Sequence, residues 1–208
     1  VGKITALKYQ KKNPDRVNLY LDGRFAFGLS AIVAASLKPG QSLSEAEIES
    51  LKETDAGEVS YDRALDYLSY RPRSRAEVAD YLQRRGESDN RIQAVTDRLE
   101  RAGLLDDEAF ARFWVENRER FRPRGLRALR YELRSKGIKD EIVDRVLAGV
   151  DVSASAYEAA NQKAHQWIHL DRQTFRRKLT EYLARRGFEY EVAQEVALRC
   201  WTELKQEE

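Results

Sequence analysis

The chain has 208 residues, 35% of them charged and 42% hydrophobic, with seven Phe, ten Tyr and three Trp. That length lies between one and two ordinary domains, and the apolar share excludes a disordered chain. The single cysteine, the polar start Val1-Gly2-Lys3-Ile4 and a longest apolar run near Ala31–Ala35 exclude a disulfide scaffold, a zinc cluster, a signal peptide and a membrane span. A reducing cytoplasm is the expected compartment.

Strands come first. Residues 3–10 read as a strand, with Asn13-Pro14-Asp15 as its turn. Val17, Leu19 and Leu21, then Phe25, Phe27 and Leu29, alternate with their neighbours at the period of half-buried strands. Asp22-Gly23 between them is a two-residue hairpin turn. Ser30 starts a short apolar helix, Pro39-Gly40 breaks it, and Ser44 with Glu47 forms a capping box for another.

Helices fill the remainder. Ala64, Leu65 and Leu68 lie on one that Pro72 interrupts. Ser74 and Glu77 cap a second, which carries Val78, Tyr81 and Leu82 and stops at Gly86. Ile92, Val95 and Leu99 mark a third, ended by Gly103. Asp106 then caps a helix with Phe110, Phe113 and Trp114; another runs from Gly125 to Gly137, and Ile142, Val143, Val146 and Leu147 stripe the next. Tyr157–Ile168, Thr174–Arg186 and Glu189–Leu204 complete the series.

These helices repeat. Tyr70-Arg71-Pro72-Arg73-Ser74 returns as Phe121-Arg122-Pro123-Arg124-Gly125, and Tyr81–Gly86 returns as Glu132–Gly137 and as Tyr182–Gly187. The third copy keeps only Arg172 of the proline loop. The expected fold is mainly α: a tandem array of three three-helix modules, elongated and curved, behind a small N-terminal β-hairpin/α segment. The boundaries fall at 1–57, 58–104, 105–150 and 151–208.

No phosphate-binding loop, dinucleotide fingerprint or nucleophile elbow occurs, so no catalytic and no cofactor-binding residue is assigned. His165 and His169 have the four-residue spacing of metal ligands on a helix but lack a third ligand, so no metal site is assigned. Cys200, with Val192 and Val196, reads as buried packing, as do Trp114, Trp167 and Trp201. Asp106-Asp107-Glu108 reads as a helix N-terminus.

Arginine is the positive signal, at 26 of the 37 bases. Residues 111–137 hold nine bases and three acids, and Arg118, Arg120, Arg122, Arg124, Arg127, Arg130 and Arg134 fall within them. The last three share a helix face. Arg71, Arg73 and Arg75 repeat the loop arginines. Glu116, Glu119 and Glu132 are too few to pair the whole block, so its forks are expected to meet phosphate or an acidic protein.

The segments Arg63–Leu68 with Arg71–Ser74, Gly103–Ala111, Arg118–Gly125 and Glu132–Ile138 resemble the bacterial RecX regulatory family. The similarity covers about residues 60–205 and is weaker in the third repeat. The resemblance implies a non-enzymatic, cytoplasmic, monomeric regulator. Its implied partners are RecA and the RecA filament on single-stranded DNA, with double-stranded DNA a further one, and its implied effect is restraint of ATPase, strand exchange and coprotease activity. The eleven residues named for contact with DNA or filament are those ten arginines and Arg172. A general DNA-binding module and a helical-repeat scaffold are the alternative classes.

Overall fold

A computed structural model describes residues 1–206. Its order is β1 (Gly2–Gln10), β2 (Asn13–Leu21), β3 (Arg24–Ser30), α1 (Ala31–Ala34), β4 (Ser42–Leu43), α2 (Glu45–Ser69), α3 (Arg75–Gln83), α4 (Asp89–Arg101), α5 (Asp107–Phe121), α6 (Leu126–Ser135), α7 (Asp140–Leu147), α8 (Val152–Trp167), α9 (Arg172–Arg185) and α10 (Tyr190–Gln206). The chain is mainly helical with an N-terminal strand segment, as the sequence reading expects. It forms two compact units, Val1–Arg71 with Val78–Ala102, and Pro72–Glu77 with Gly103–Glu208.

In the first unit an antiparallel sheet of order β3-β2-β1-β4 carries the N-terminal core. Ile4, Val17, Leu19 and Leu29 on one face pack with Val33 and Ala34, and Ile48 and Leu51 of α2 join them. Asp22 (φ 47°) and Gly23 (φ 82°) make the expected hairpin turn. The first turn, however, lies at Lys11-Lys12, and Asn13-Pro14-Asp15 belong to β2. Pro14 is tolerated because β3 reaches only as far as Arg16, so no strand on that side needs its missing N–H. A register shift between Leu19 and Tyr20 sets Phe27 opposite Leu19 but Phe25 opposite Tyr20. That bulge turns Phe25 away from the core; it meets Tyr20 edge-on and is 58% exposed.

The α2 helix runs unbroken for 25 residues, so the boundary expected at 57/58 lies inside one helix. Its capping box forms: Glu47 N–H donates to Ser44 Oγ and Ser44 N–H to Glu47 Oε2. The lone Gly57 inside it costs only about 1 kcal/mol, too little to break a packed helix. Ala64 of α2, Val78 and Leu82 of α3, and Ile92, Val95 and Leu99 of α4 are buried.

In the second unit α5, α6 and α7 enclose Phe110, Val115, Leu129, Leu133 and Val143, while α8, α9 and α10 enclose Phe175, Leu179, Leu183 and Val196. Of the aromatic residues on α5, Phe110 is buried and Phe113 is 40% exposed. The α8 helix starts at Val152, capped by Asp151, five residues before the expected start, and ends at Trp167, so His169 is off it. The four-residue histidine spacing therefore spans no helix face.

The proline loops seat on the glycine turns of the following repeat. Ser74 Oγ–H donates to the Lys136 carbonyl at 2.7 Å, and an added Cβ at Gly137 would run into Ala76. One repeat later, Gly125 N–H donates to the Arg186 carbonyl at 3.0 Å, and Gly125 lies against the Gly187 backbone.

Candidate arginine interface

The eleven named arginines occupy unlike surroundings. Arg71, Arg73 and Arg75 are half-buried around the loop into α3. Arg75 N–H donates to Asp107 Oδ1 at 2.8 Å, and Glu77, the capping-box residue, receives Lys136 Nζ at 2.7 Å. Arg75 and Glu77 are thereby tied into the second unit.

Arg118 and Arg124 converge on Glu132. Arg118 Nε–H donates to Glu132 Oε2 at 2.7 Å, Trp114 Nε1–H donates to the same oxygen at 2.8 Å, and Arg124 Nε stands 3.8 Å from Oε1. The Arg118 guanidinium also lies 4.5 Å from the Trp114 ring centroid. Half-burial and a shared carboxylate make this cluster a tie between α5 and α6. Arg120 and Arg122 are exposed, Arg120 standing 5.2 Å from the ring of exposed Phe121.

Arg127, Arg130 and Arg134 do share one face of α6, along a groove of about 620 Å³. Arg130 meets Asp144 and Arg134 meets Asp140, each at 2.6 Å. The sequence count of acids missed these partners because they sit on α7, outside the basic block. The hydrogen bond from Arg134 holds the Asp140 carboxyl below the usual carboxylate range. Arg127 Nη2–H reaches the Ala184 carbonyl at 3.4 Å.

Arg172 stands at the start of α9, exposed, in a second groove of about 750 Å³ with Arg176 and Arg177. Tyr190 lines both grooves and is 63% exposed; Tyr131, in the first, is 74% exposed. Sequence reasoning missed Arg176, Arg177 and both tyrosines. The basic spacing on α9 was readable, but nothing local marks Tyr190, the first residue of α10, as neighbour to α6.

Among the described residues no group of three or more His, Cys, Asp or Glu is placed to hold a metal, and no helix is long and apolar enough to cross a membrane. Burial pushes the Cys200 thiol up to about 11, which fits the packing role expected for it.

Four consecutive parts of the chain match RecX family descriptions: the regulatory protein RecX N-terminal domain at 2–44, and the first, second and third three-helix domains at 61–99, 106–147 and 151–197. Regulatory protein RecX of Bacillus licheniformis is 33% identical over 195 residues, spanning 91% of this chain and 74% of that one. Regulatory protein RecX of Prosthecochloris aestuarii is 41% identical over 128 residues, 62% of this chain and 84% of that one. A crystal structure of regulatory protein RecX superposes with a TM-score of 0.80 at 26% identity, covering 94% of this chain and 98% of the other. That of RecX from Lactobacillus salivarius gives 0.64 at 25% identity, covering 71% and 97%. With its strand segment and all three helical modules matched in order, this chain belongs to the RecX family of regulatory proteins.

Proposed function

We propose that this chain binds RecA and its nucleoprotein filament on single-stranded DNA and restrains the ATPase, recombinase and coprotease activities of that filament, so modulating DNA repair, recombination and the SOS response. It acts as a cytoplasmic, monomeric regulator, not as an enzyme. The observation that carries the reading is a RecX-family chain whose exposed arginines, Arg120, Arg122, Arg127, Arg134 and Arg172, offer planar forks to phosphate and carboxylate. Repeated modules suit a partner made of repeated subunits, since each further module engages at high effective concentration.

The test is RecA ATPase on single-stranded DNA with increasing amounts of this protein. Turnover is expected to fall at less than one copy per RecA; unchanged turnover at excess defeats the reading. Changing Arg122, Arg127 and Arg172 together to Ala, all three exposed, should weaken the inhibition and lower the slope of log affinity against log salt by roughly 0.7 for each single-strand phosphate no longer neutralised. Strong sequence-specific duplex binding without RecA would mark a general DNA-binding module instead. Binding to neither would mark a scaffold.

A further inference from the structure

The two grooves of the second unit adjoin. They share Tyr190, so one path runs from the α6 face past the start of α10 to the α9 face. Six arginines line it: Arg127, Arg130 and Arg134 on one side of Tyr190, and Arg172, Arg176 and Arg177 on the other. Only Glu181 and Glu189 oppose them among the lining residues.

Two features decide what fits. The carboxylates paired with these arginines are exposed: Asp140 and Asp144 hold Arg134 and Arg130 with side chains 59% and 65% accessible, and Glu181, 3.3 Å from Arg177, is 50% accessible. Exposed pairs of this kind exchange readily, so a ligand's anions can take the place of the carboxylates. The second feature is aromatic. Tyr131 and Tyr190 belong to neither core cluster of the unit, and both leave most of their surface in solvent. The Tyr190 hydroxyl accepts from Gln194 Nε2–H at 2.9 Å, which holds the ring at the junction of the grooves.

We infer that this path binds a single strand of nucleic acid, the arginines following successive phosphates and the rings of Tyr131 and Tyr190 stacking on bases. An acidic protein segment would satisfy the arginines but gives the rings nothing flat to stack on. A duplex would satisfy the arginines with its phosphates but keeps its bases stacked on one another. The inference deepens the regulatory reading by assigning this face to the DNA strand, leaving RecA to other surfaces, and rests on that reading only for the source of the strand.

The experiment is fluorescence anisotropy of a labelled oligothymidylate of about 15 nucleotides, within the span that single-strand sites cover, with the full chain and no RecA. The wild type is expected to bind it more tightly than a duplex of equal length. Tyr131→Ala with Tyr190→Ala should weaken binding by at least about tenfold, given roughly 1–3 kcal/mol per stacked base, whereas Tyr131→Phe, which leaves the Tyr190 hydroxyl its bond from Gln194, should bind as the wild type does. Arg176→Ala with Arg177→Ala should lower the salt slope without altering the preference for the single strand. Unchanged circular dichroism shows that each variant folds. Tighter duplex binding, equal displacement by polyglutamate, or full affinity in the folded Tyr→Ala variant overturns the inference. RecA ATPase measured beside it separates the two claims. Inhibition without strand binding removes this site and leaves the regulator, while strand binding without inhibition does the reverse.

Discussion

Gly187 and Gly86 close the same helix in two repeats and carry different loads. Both have left-handed backbone, φ +87° and +82°. A Cβ at Gly187 would lie 2.6 Å from Ala128 Cβ and 2.7 Å from its backbone nitrogen, whereas one at Gly86 meets nothing within 4 Å. Gly86→Ala should therefore cost about 1–2 kcal/mol, the penalty for a side chain in left-handed backbone. Gly187→Ala should cost that plus about 1–3 kcal/mol of overpacking. Urea denaturation of the two variants checks the difference. Asp55 is a second residue of this kind. It receives Arg16 Nη1 at 2.9 Å and the backbone N–H of Ser30, and Arg16 Nη2 also donates to the Gly28 carbonyl at 3.0 Å. Asp55→Ala leaves the half-buried Arg16 guanidinium without its carboxylate, and a loss of about 2–4 kcal/mol is expected from the same measurement. The Cys200 thiol, raised by burial, should resist thiol reagents at pH 8 in the folded protein and react once it is unfolded.

Helix ends show how far local chemistry reaches. Asp106 accepts from the N–H groups of Glu108 and Ala109 and starts α5, where the sequence places the start. Asp171 caps α9 in the same manner. The Thr174 N–H, then the Thr174 hydroxyl and the Gln173 N–H, hold its carboxyl below the usual range. A folded pKa below the unfolded one means that this cap contributes fully above about pH 4, the unfolded value, and is lost as pH falls through the folded one. Amide exchange at Thr174 should accelerate on acidification through that window, and Asp171→Asn should abolish the acid response while keeping a cap. Cap, stripe and glycine were legible because each involves residues within about four positions. The bulge at Tyr20, which turns Phe25 outward, was not, because it depends on how β3 meets β2. The unbroken α2 was missed for a related reason. The repeat suggested a boundary where the backbone itself offers no reason to stop.

At the scale of the whole molecule, the loop Pro72–Glu77 belongs with the second unit although the chain on both sides of it belongs with the first. Its bonds, Ser74 to Lys136, Lys136 to Glu77 and Arg75 to Asp107, lie inside that unit. A fragment of residues 103–208 therefore lacks part of its own packing. Its amides around Lys136–Ile138 should exchange faster than in the full chain, and equal protection would show that the loop contributes nothing there.

The sequence by itself determined the helical class, the order of elements, the caps and the threefold repeat, because each follows from period, capping chemistry and self-similarity along the chain. The same residues carried the RecX resemblance. Only the tertiary structure decided which arginines are available. Arg118 and Arg124 turn inward to Glu132, Arg130 and Arg134 find aspartates on α7, and Arg172 gains the company of Tyr190. A guanidinium's role is set by the carboxylates and rings within a few ångströms of it, and those come from helices far away in sequence.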